Sequence, residues 1–194
     1  MMRENSNFGQ QDSDTLALKL ASGDLNGVNM IGETCDKIYK NGVLVDEIHG
    51  HNLVVNSFLK LVMALLKRQD GYSGATYWAI GSGASTWDSE LPSPTLDEIK
   101  LTNEIGRKSI SASEIKFVDS TFNESSTPTN IIQITHTFGP EDCNGEWREF
   151  AIFGGNATST ANSGIMINKR THAVINKTSE MAVERTIRFT LTLS

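Results

Sequence analysis

The 194-residue chain is poor in cysteine, with only Cys35 and Cys143. Two thiols so far apart exclude a disulfide framework, and reduced, unreactive cysteines are expected. No apolar run approaches the length needed to span a bilayer, so a membrane is not an expected partner. Residues 1–14 are polar and lack an apolar core, so nothing there marks the chain for secretion. The 17 Lys and Arg residues are outnumbered by 23 Asp and Glu, giving a net charge of -6, and the basic residues form no cluster. A nucleic-acid surface needs such a cluster, so nucleic acid is not an expected partner either.

Catalytic motifs are also missing. There is no Gly-x-Ser-x-Gly elbow, no His-Glu-x-x-His pair and no Walker loop. Glu146 and Glu149 are near in sequence, but a spacing of three puts them on opposite faces of a strand. Gly81-Ser82-Gly83 is not followed by a helix, which a phosphate-cradling loop requires. The expectation is a protein that is not an enzyme and holds no cofactor. Hydrophobic residues make up 38% and charged residues 21%, a globular composition with enough length for one real core.

What is present is strand after strand. Residues 144–155 open on Asn144-Gly145, a hairpin signal, run through aromatic and β-branched residues, and close on Gly154-Gly155. Alternation places Trp147, Glu149, Ala151 and Phe153 on one face and Glu146, Arg148, Phe150 and Ile152 on the other. Both faces carry large apolar groups, so this reads as a central strand covered on both sides. Trp147, Phe150, Ile152 and Phe153, with Ile187 and Phe189, are the expected core.

Residues 1–32 are rich in polar residues, with Phe8 the only aromatic, and read as a mobile tail or as an arm that orders on a neighbouring subunit. Leu16, Leu18 and Leu20 alternate there as in a short strand. The remainder, 33–194, reads as one domain. Asn41-Gly42 lies between two β-prone runs and predicts a two-residue hairpin. His49 and His51 share one side of the second run. Two ligands are too few for a metal, and no Cys, Asp or Glu completes a known spacing, so no metal is assigned. A site shared by symmetry-related chains is the form a metal there would take.

A helix is expected over about 56–68, capped by Asn56 or Ser57, with Phe58, Leu59, Val62, Leu65 and Leu66 as its stripe and Gly71 as its end. A strand over 75–80 follows, then a long loop over 82–100 containing Trp87, Pro92 and Pro94, a candidate contact surface. Further strands are read over 109–118, 130–138 and 165–175, with a polar connection over 119–129. His136 is expected to be a hydrogen-bonded core residue. The last strand is the cleanest, with Val183, Arg185, Ile187, Phe189, Leu191 and Leu193 on one face. Arg185, if buried, needs an acidic partner.

Charges set among apolar positions should be paired. Glu104, Arg107, Glu149, Lys177 and Arg185 are the candidates for structural ion pairs. At least one of Glu104 and Glu149 is expected to pair with Arg107, Arg185 or Lys177 from a different strand.

Leu101 to Arg107 (Leu-Thr-Asn-Glu-Ile-Gly-Arg), the strand ending near Val118, residues 144–155, Ser163 to Asn168, Ile175 to Lys177 and Glu184 to Phe189 together resemble virion proteins of tailed bacteriophages, of the tail-fibre and baseplate appendage type. Ala151 stands where that pattern would have Gly. The resemblance covers roughly residues 53–193. It implies a non-enzymatic structural subunit, assembled in the host cytoplasm and carried in the virion. Its partners would be other virion structural proteins, and a homo-oligomer is expected. The expected architecture is a mainly antiparallel β-sandwich with one packed α-helix and an extended N-terminal arm. The role expected first is a tail baseplate or tail-fibre attachment protein. The alternatives are a capsid or neck decoration protein, or a receptor- or carbohydrate-binding fibre module.

Overall fold

A computed structural model describes residues 28–193. The strands are β1 (Val28–Lys40), β2 (Val43–Val54), β3 (Ser73–Gly81), β4 (Glu104–Ser109), β5 (Ile115–Val118), β6 (Glu124–Ser125), β7 (Ile131–Phe138), β8 (Gly145–Gly155), β9 (Ile165–Lys177) and β10 (Met181–Leu193). One helix, α1 (Ser57–Leu66), joins β2 to β3. The described residues are therefore mainly β with one helix, as the sequence predicts. No helix among the described residues is long and apolar enough to cross a membrane.

The strands form one antiparallel sheet in the order β4-β3-β8-β9-β2-β1-β10-β7-β5-β6. Its two halves are joined narrowly, because β2 pairs with β9 only at Leu53 and Val54. The sheet curls so that the halves face each other. Trp78 of β3 meets Phe138 of β7 edge-on at 6.3 Å, although β8, β9, β2, β1 and β10 lie between their strands. Phe138 also meets Trp147 of β8 at 5.0 Å. This aromatic seam, with Phe150, Ile152, Ile187 and Phe189, is the main core. Phe153 belongs to a second cluster on the other face of β8, with Val55, Ala79, Leu101, Ala151 and Met166. All six expected core residues are buried.

The β1–β2 hairpin turns on Asn41 and Gly42, both with positive φ (50° and 78°), the geometry of a type I′ turn. Residues 28–32, read from sequence as part of the arm, belong to β1 and pair with the end of β10. The rest of that arm, including Leu16, Leu18 and Leu20, lies outside the described residues.

Several expectations are corrected. Asn144-Gly145 does not close a hairpin: β7 pairs with β10 and β5, whereas β8 pairs with β3 and β9, so residues 139–144 cross between the two halves. Trp147 does not share a face with Ala151 and Phe153. At a register shift between Trp147 and Glu149, β9 runs from Ile175 to Thr171 against that shorter step of β8, and the broken alternation turns Trp147 into the cluster of Phe150 and Ile152. The strand expected over 109–118 is two strands, separated by a short 3₁₀ turn over Ala112–Glu114 that Ser111 and Glu114 close with a capping box. Two residues of the polar connection form β6.

In α1 the packed residue is Leu61, with Phe58 and Leu59 beside it, while Leu65 and Leu66 stay exposed. Neither expected cap bonds its own helix: the Asn56 amide reaches Asp97, and the Ser57 hydroxyl donates to the Met166 carbonyl. The helix ends before Gly71, at Arg68 (φ 55°). There the Arg68 and Gln69 N–H groups bond the Leu65 and Ala64 carbonyls in a Schellman motif.

Candidate functional site

Residues 82–103, between β3 and β4, form the longest connection among the described residues. Two prolines keep this strap out of regular strand pairing, and a 3₁₀ turn over Ser85–Asp88 shapes its first third. It runs across β8 and β9 and is tied down by their polar side chains. Arg148 of β8 grips Asp88 with two prongs, Nε to Oδ1 at 2.7 Å and Nη2 to Oδ2 at 2.9 Å, and also donates to Glu146 and to the Ser82 carbonyl. These hydrogen bonds, from Asp88 first and then Glu146, raise the Arg148 pKa further above its ordinary value.

Lys169 of β9 lies between Glu98 of the strap and Glu149 of β8, whose Oε2 is 3.1 Å away. Glu149 is fully buried, and its other oxygen accepts from the Asn103 N–H at 2.9 Å. Glu149 and Lys169 are diagonal neighbours across the β8–β9 ladder, since Lys169 pairs with Ala151. Thr171 Oγ1 donates to the Pro92 carbonyl at 2.7 Å, and the Asn56 N–H bonds the Leu96 carbonyl at 2.8 Å. Gly83 has φ +57°, and a Cβ there would lie 2.4 Å from the Trp87 ring. That glycine therefore makes room for Trp87 to fold under the strap.

Trp87 stands between two cavities. A cleft of about 640 Å³ is lined by Trp87, Pro92, Glu98, Leu101, Lys169 and Thr171. A smaller one of about 320 Å³ lies against Trp87, Leu91, Arg148 and His172. Leu91, Leu96 and Ile99 of the strap are exposed, Ile99 at 64%.

A second layer of charge lies in the core. Arg185 of β10 donates to both oxygens of Asp36 on β1, at 2.6 and 2.7 Å, with both side chains almost completely buried. The guanidinium stacks 4.1 Å from the Phe150 ring centroid. Burial alone would raise the Asp36 carboxyl, but the charge and hydrogen bonds of Arg185 hold it below its ordinary value. His172 Nε2 is 3.4 Å from Arg185 Nη2, and its Nδ1 lies 2.7 Å from the Ala173 carbonyl. Burial, then the neighbouring Arg185 charge, push His172 down to about 3, so the ring is neutral, with Nδ1–H donating and Nε2 accepting. Arg170 donates to Thr34 Oγ1 and to the His49 carbonyl, and burial lowers its pKa.

The expected ion pairs are thus placed as follows. Glu149 does pair with a cation on another strand, but that cation is Lys169, which alternation had not singled out. Glu104 pairs with Arg107 of its own strand, and this pair also holds the 156–164 loop. Glu104 Oε2 accepts from the Asn162 N–H at 2.6 Å, and Arg107 donates to the Thr158 carbonyl at 2.7 Å. Arg185 takes Asp36. Among the described residues Lys177 has no direct carboxylate partner: it donates to the Gly139 carbonyl at 2.7 Å and to Asn144 Oδ1 at 2.8 Å, pinning the crossing into β8. His136 is hydrogen-bonded, to Glu114, but it is half-buried at the edge of the core and not within it. His49 and His51 are exposed on β2.

The chemistry of this arrangement is fixation. Arg185 and Asp36 are locked together and sealed from solvent, with His172 between them and the smaller cavity, and the Lys169 ammonium at the cleft floor is neutralised by two carboxylates. The chain matches no protein-family model, no curated protein and no solved structure.

Proposed function

We propose that the chain is a non-enzymatic structural component of a tailed-bacteriophage virion, a baseplate or tail-fibre attachment protein that joins other virion subunits and is assembled in the bacterial host cytoplasm. The observation that carries this reading is the strap. Its inner side is fixed by Arg148, Lys169 and Thr171, while Leu91, Leu96 and Ile99 face outward. Apolar side chains held rigidly at the surface cost little entropy to dock and suit a permanent contact. The apolar tip of the β1–β2 hairpin, Val43, Leu44 and Val45, is a second such projection. The resemblance of the C-terminal half to phage appendage proteins points the same way.

Gold-labelled antibody to the chain, applied to purified particles, should decorate the tail. Labelling of the head or neck would favour a decoration protein instead, and absence of the chain from particles would end the virion reading. Replacing Leu96 and Ile99 together by Ser should leave the isolated chain folded and block its incorporation.

The cleft beside Trp87 favours a second reading, a receptor- or carbohydrate-binding fibre module. A half-buried indole with carboxylate, ammonium and hydroxyl groups around it matches the way a sugar ring is held, apolar face stacked and hydroxyls bonded. Titrating host cell-wall saccharides against Trp fluorescence tests this: a saturating change in the parent, lost in Trp87→Ala, is required.

A further inference from the structure

On the exposed face of the β1–β2 hairpin, three side chains converge that are scattered along the chain. Cys35 of β1 is paired in register with His49 of β2. Opposed residues of an antiparallel ladder hold their side chains close together. Glu47 is two residues before His49 and so lies on the same face, diagonal to Cys35. Glu47 Oε1 is 2.8 Å from His49 Nε2 and 3.6 Å from Cys35 Sγ. All three donor atoms lie within 4.8 Å of one another.

We propose that Cys35, Glu47 and His49 form a three-ligand site for a zinc-type divalent cation. A tetrahedral zinc with bonds of about 2.0–2.3 Å has ligand–ligand edges of about 3.3–3.7 Å. The observed separations straddle that range, so a small opening of the His49–Glu47 contact seats the ion without moving the backbone. The donor set of thiolate, imidazole and carboxylate selects zinc-like ions over magnesium or calcium, which take oxygen ligands. The frame is firm, because β1 is bonded on one side to β2 and on the other to β10 through this stretch.

A cavity of about 190 Å³ adjoins Cys35 and His49, lined also by Glu33, His51 and Arg188, and leaves space for water as the fourth ligand. Burial and the nearby Glu47 carboxylate hold the Cys35 thiol above its ordinary pKa, so the ion must displace that proton on binding. Glu47 already accepts from the thiol, and its carboxylate becomes a ligand once the proton leaves. This site does not depend on the virion reading.

Cobalt(II), titrated into the reduced, tag-free full chain, is the probe. One equivalent should produce a thiolate-to-cobalt charge-transfer band that zinc abolishes by displacement. The band should be lost in Cys35→Ser and retained in Cys143→Ser and His51→Gln. Zinc should raise the melting temperature of the parent and leave that of His49→Gln and Glu47→Gln unchanged. His49 and Glu47 are exposed, so these two variants keep the test open even if Cys35→Ser misfolds. No band in the parent, a band that survives Cys35→Ser, or one that depends on Cys143 overturns the site.

Discussion

Asp36 and Arg185, which are 149 residues apart in the chain, sit opposite each other on β1 and β10 as a two-pronged ion pair with no solvent around it. Removing either partner leaves an uncompensated charge under Phe150 and Trp147. Asp36→Asn and Arg185→Met should each destabilise the fold by about 3–5 kcal/mol. The double variant should cost much less than the sum. Urea denaturation of the cycle measures this, and strictly additive losses would show that the two groups do not interact.

His172 makes the same layer sensitive to acid. Its pKa falls from 6.5 in the unfolded chain to about 3 in the fold. Between those values the unfolded state binds the extra proton, so stability falls as pH falls through that window, by at most about 1.4 kcal/mol per pH unit. Asp36 acts in the same direction lower down. Its folded pKa lies below its ordinary 3.8, so its contribution is present above that value and is lost as pH drops beneath it. Stability measured against pH should therefore decline from about pH 6.5 downward, and His172→Gln should flatten the upper part of that decline. Equal slopes in parent and variant would mean that the folded ring takes up protons freely.

The strap should loosen when its inner anchors are neutralised. Glu149→Gln keeps the shape but removes the charge facing Lys169, with an expected cost of about 1–3 kcal/mol. Lys169→Met leaves Glu98 and Glu149 facing each other without a cation and should cost more. In both variants limited proteolysis should open new cuts within residues 82–103 while the other described strands resist. An unchanged digestion pattern would show that Arg148, Thr171 and Asn56 suffice.

Trp147 is locked into the seam by Phe138 and by its own indole N–H, which donates to the Cys143 carbonyl at 2.6 Å. Trp147→Ala should cost about 3–5 kcal/mol and yield poorly folded protein, and Phe153→Ala should behave alike in the second cluster. Leu66→Ala, on the exposed side of α1, should stay within about 0.5 kcal/mol of the parent. A Trp147→Ala variant that melts like the parent would place β8 at the margin of the core.

Local chemistry made part of this fold legible beforehand. Asn41-Gly42 announces its turn because few residue pairs take positive φ, and β10 announces its face because Val183, Ile187 and Phe189 all fall on alternate positions, with only Arg185 interrupting them. The face of Trp147 was hidden, since the irregular step where β9 carries extra residues opposite β8 breaks the alternation and no composition signal marks it. In α1 the helix was legible but its packed face was not: the sheet beneath takes Leu61, which lay outside the expected stripe, and leaves Leu65 and Leu66 of that stripe exposed. The partners of the buried charges were the least accessible. Asp36 finds Arg185, Lys169 finds Glu149, and Cys35 finds His49 through ladder register, which depends on which strands become neighbours.

The pairing of β1 with β10 along its whole length, from Val28 opposite Leu193 to Lys40 opposite Met181, has a consequence for biosynthesis. Among the described strands, the earliest made is bonded to the latest made. Until residue 185 emerges, Asp36 has no counter-charge and the inward row of the β1–β2 hairpin has no cover. Contacts this distant in sequence are slow to form and costly to close. The half-made chain must wait in a state that exposes a hydrophobic strand edge, and nascent chains stalled before residue 181 should remain protease-sensitive throughout. Chaperone demand falls on that interval, and the sheet closes only once β10 has emerged.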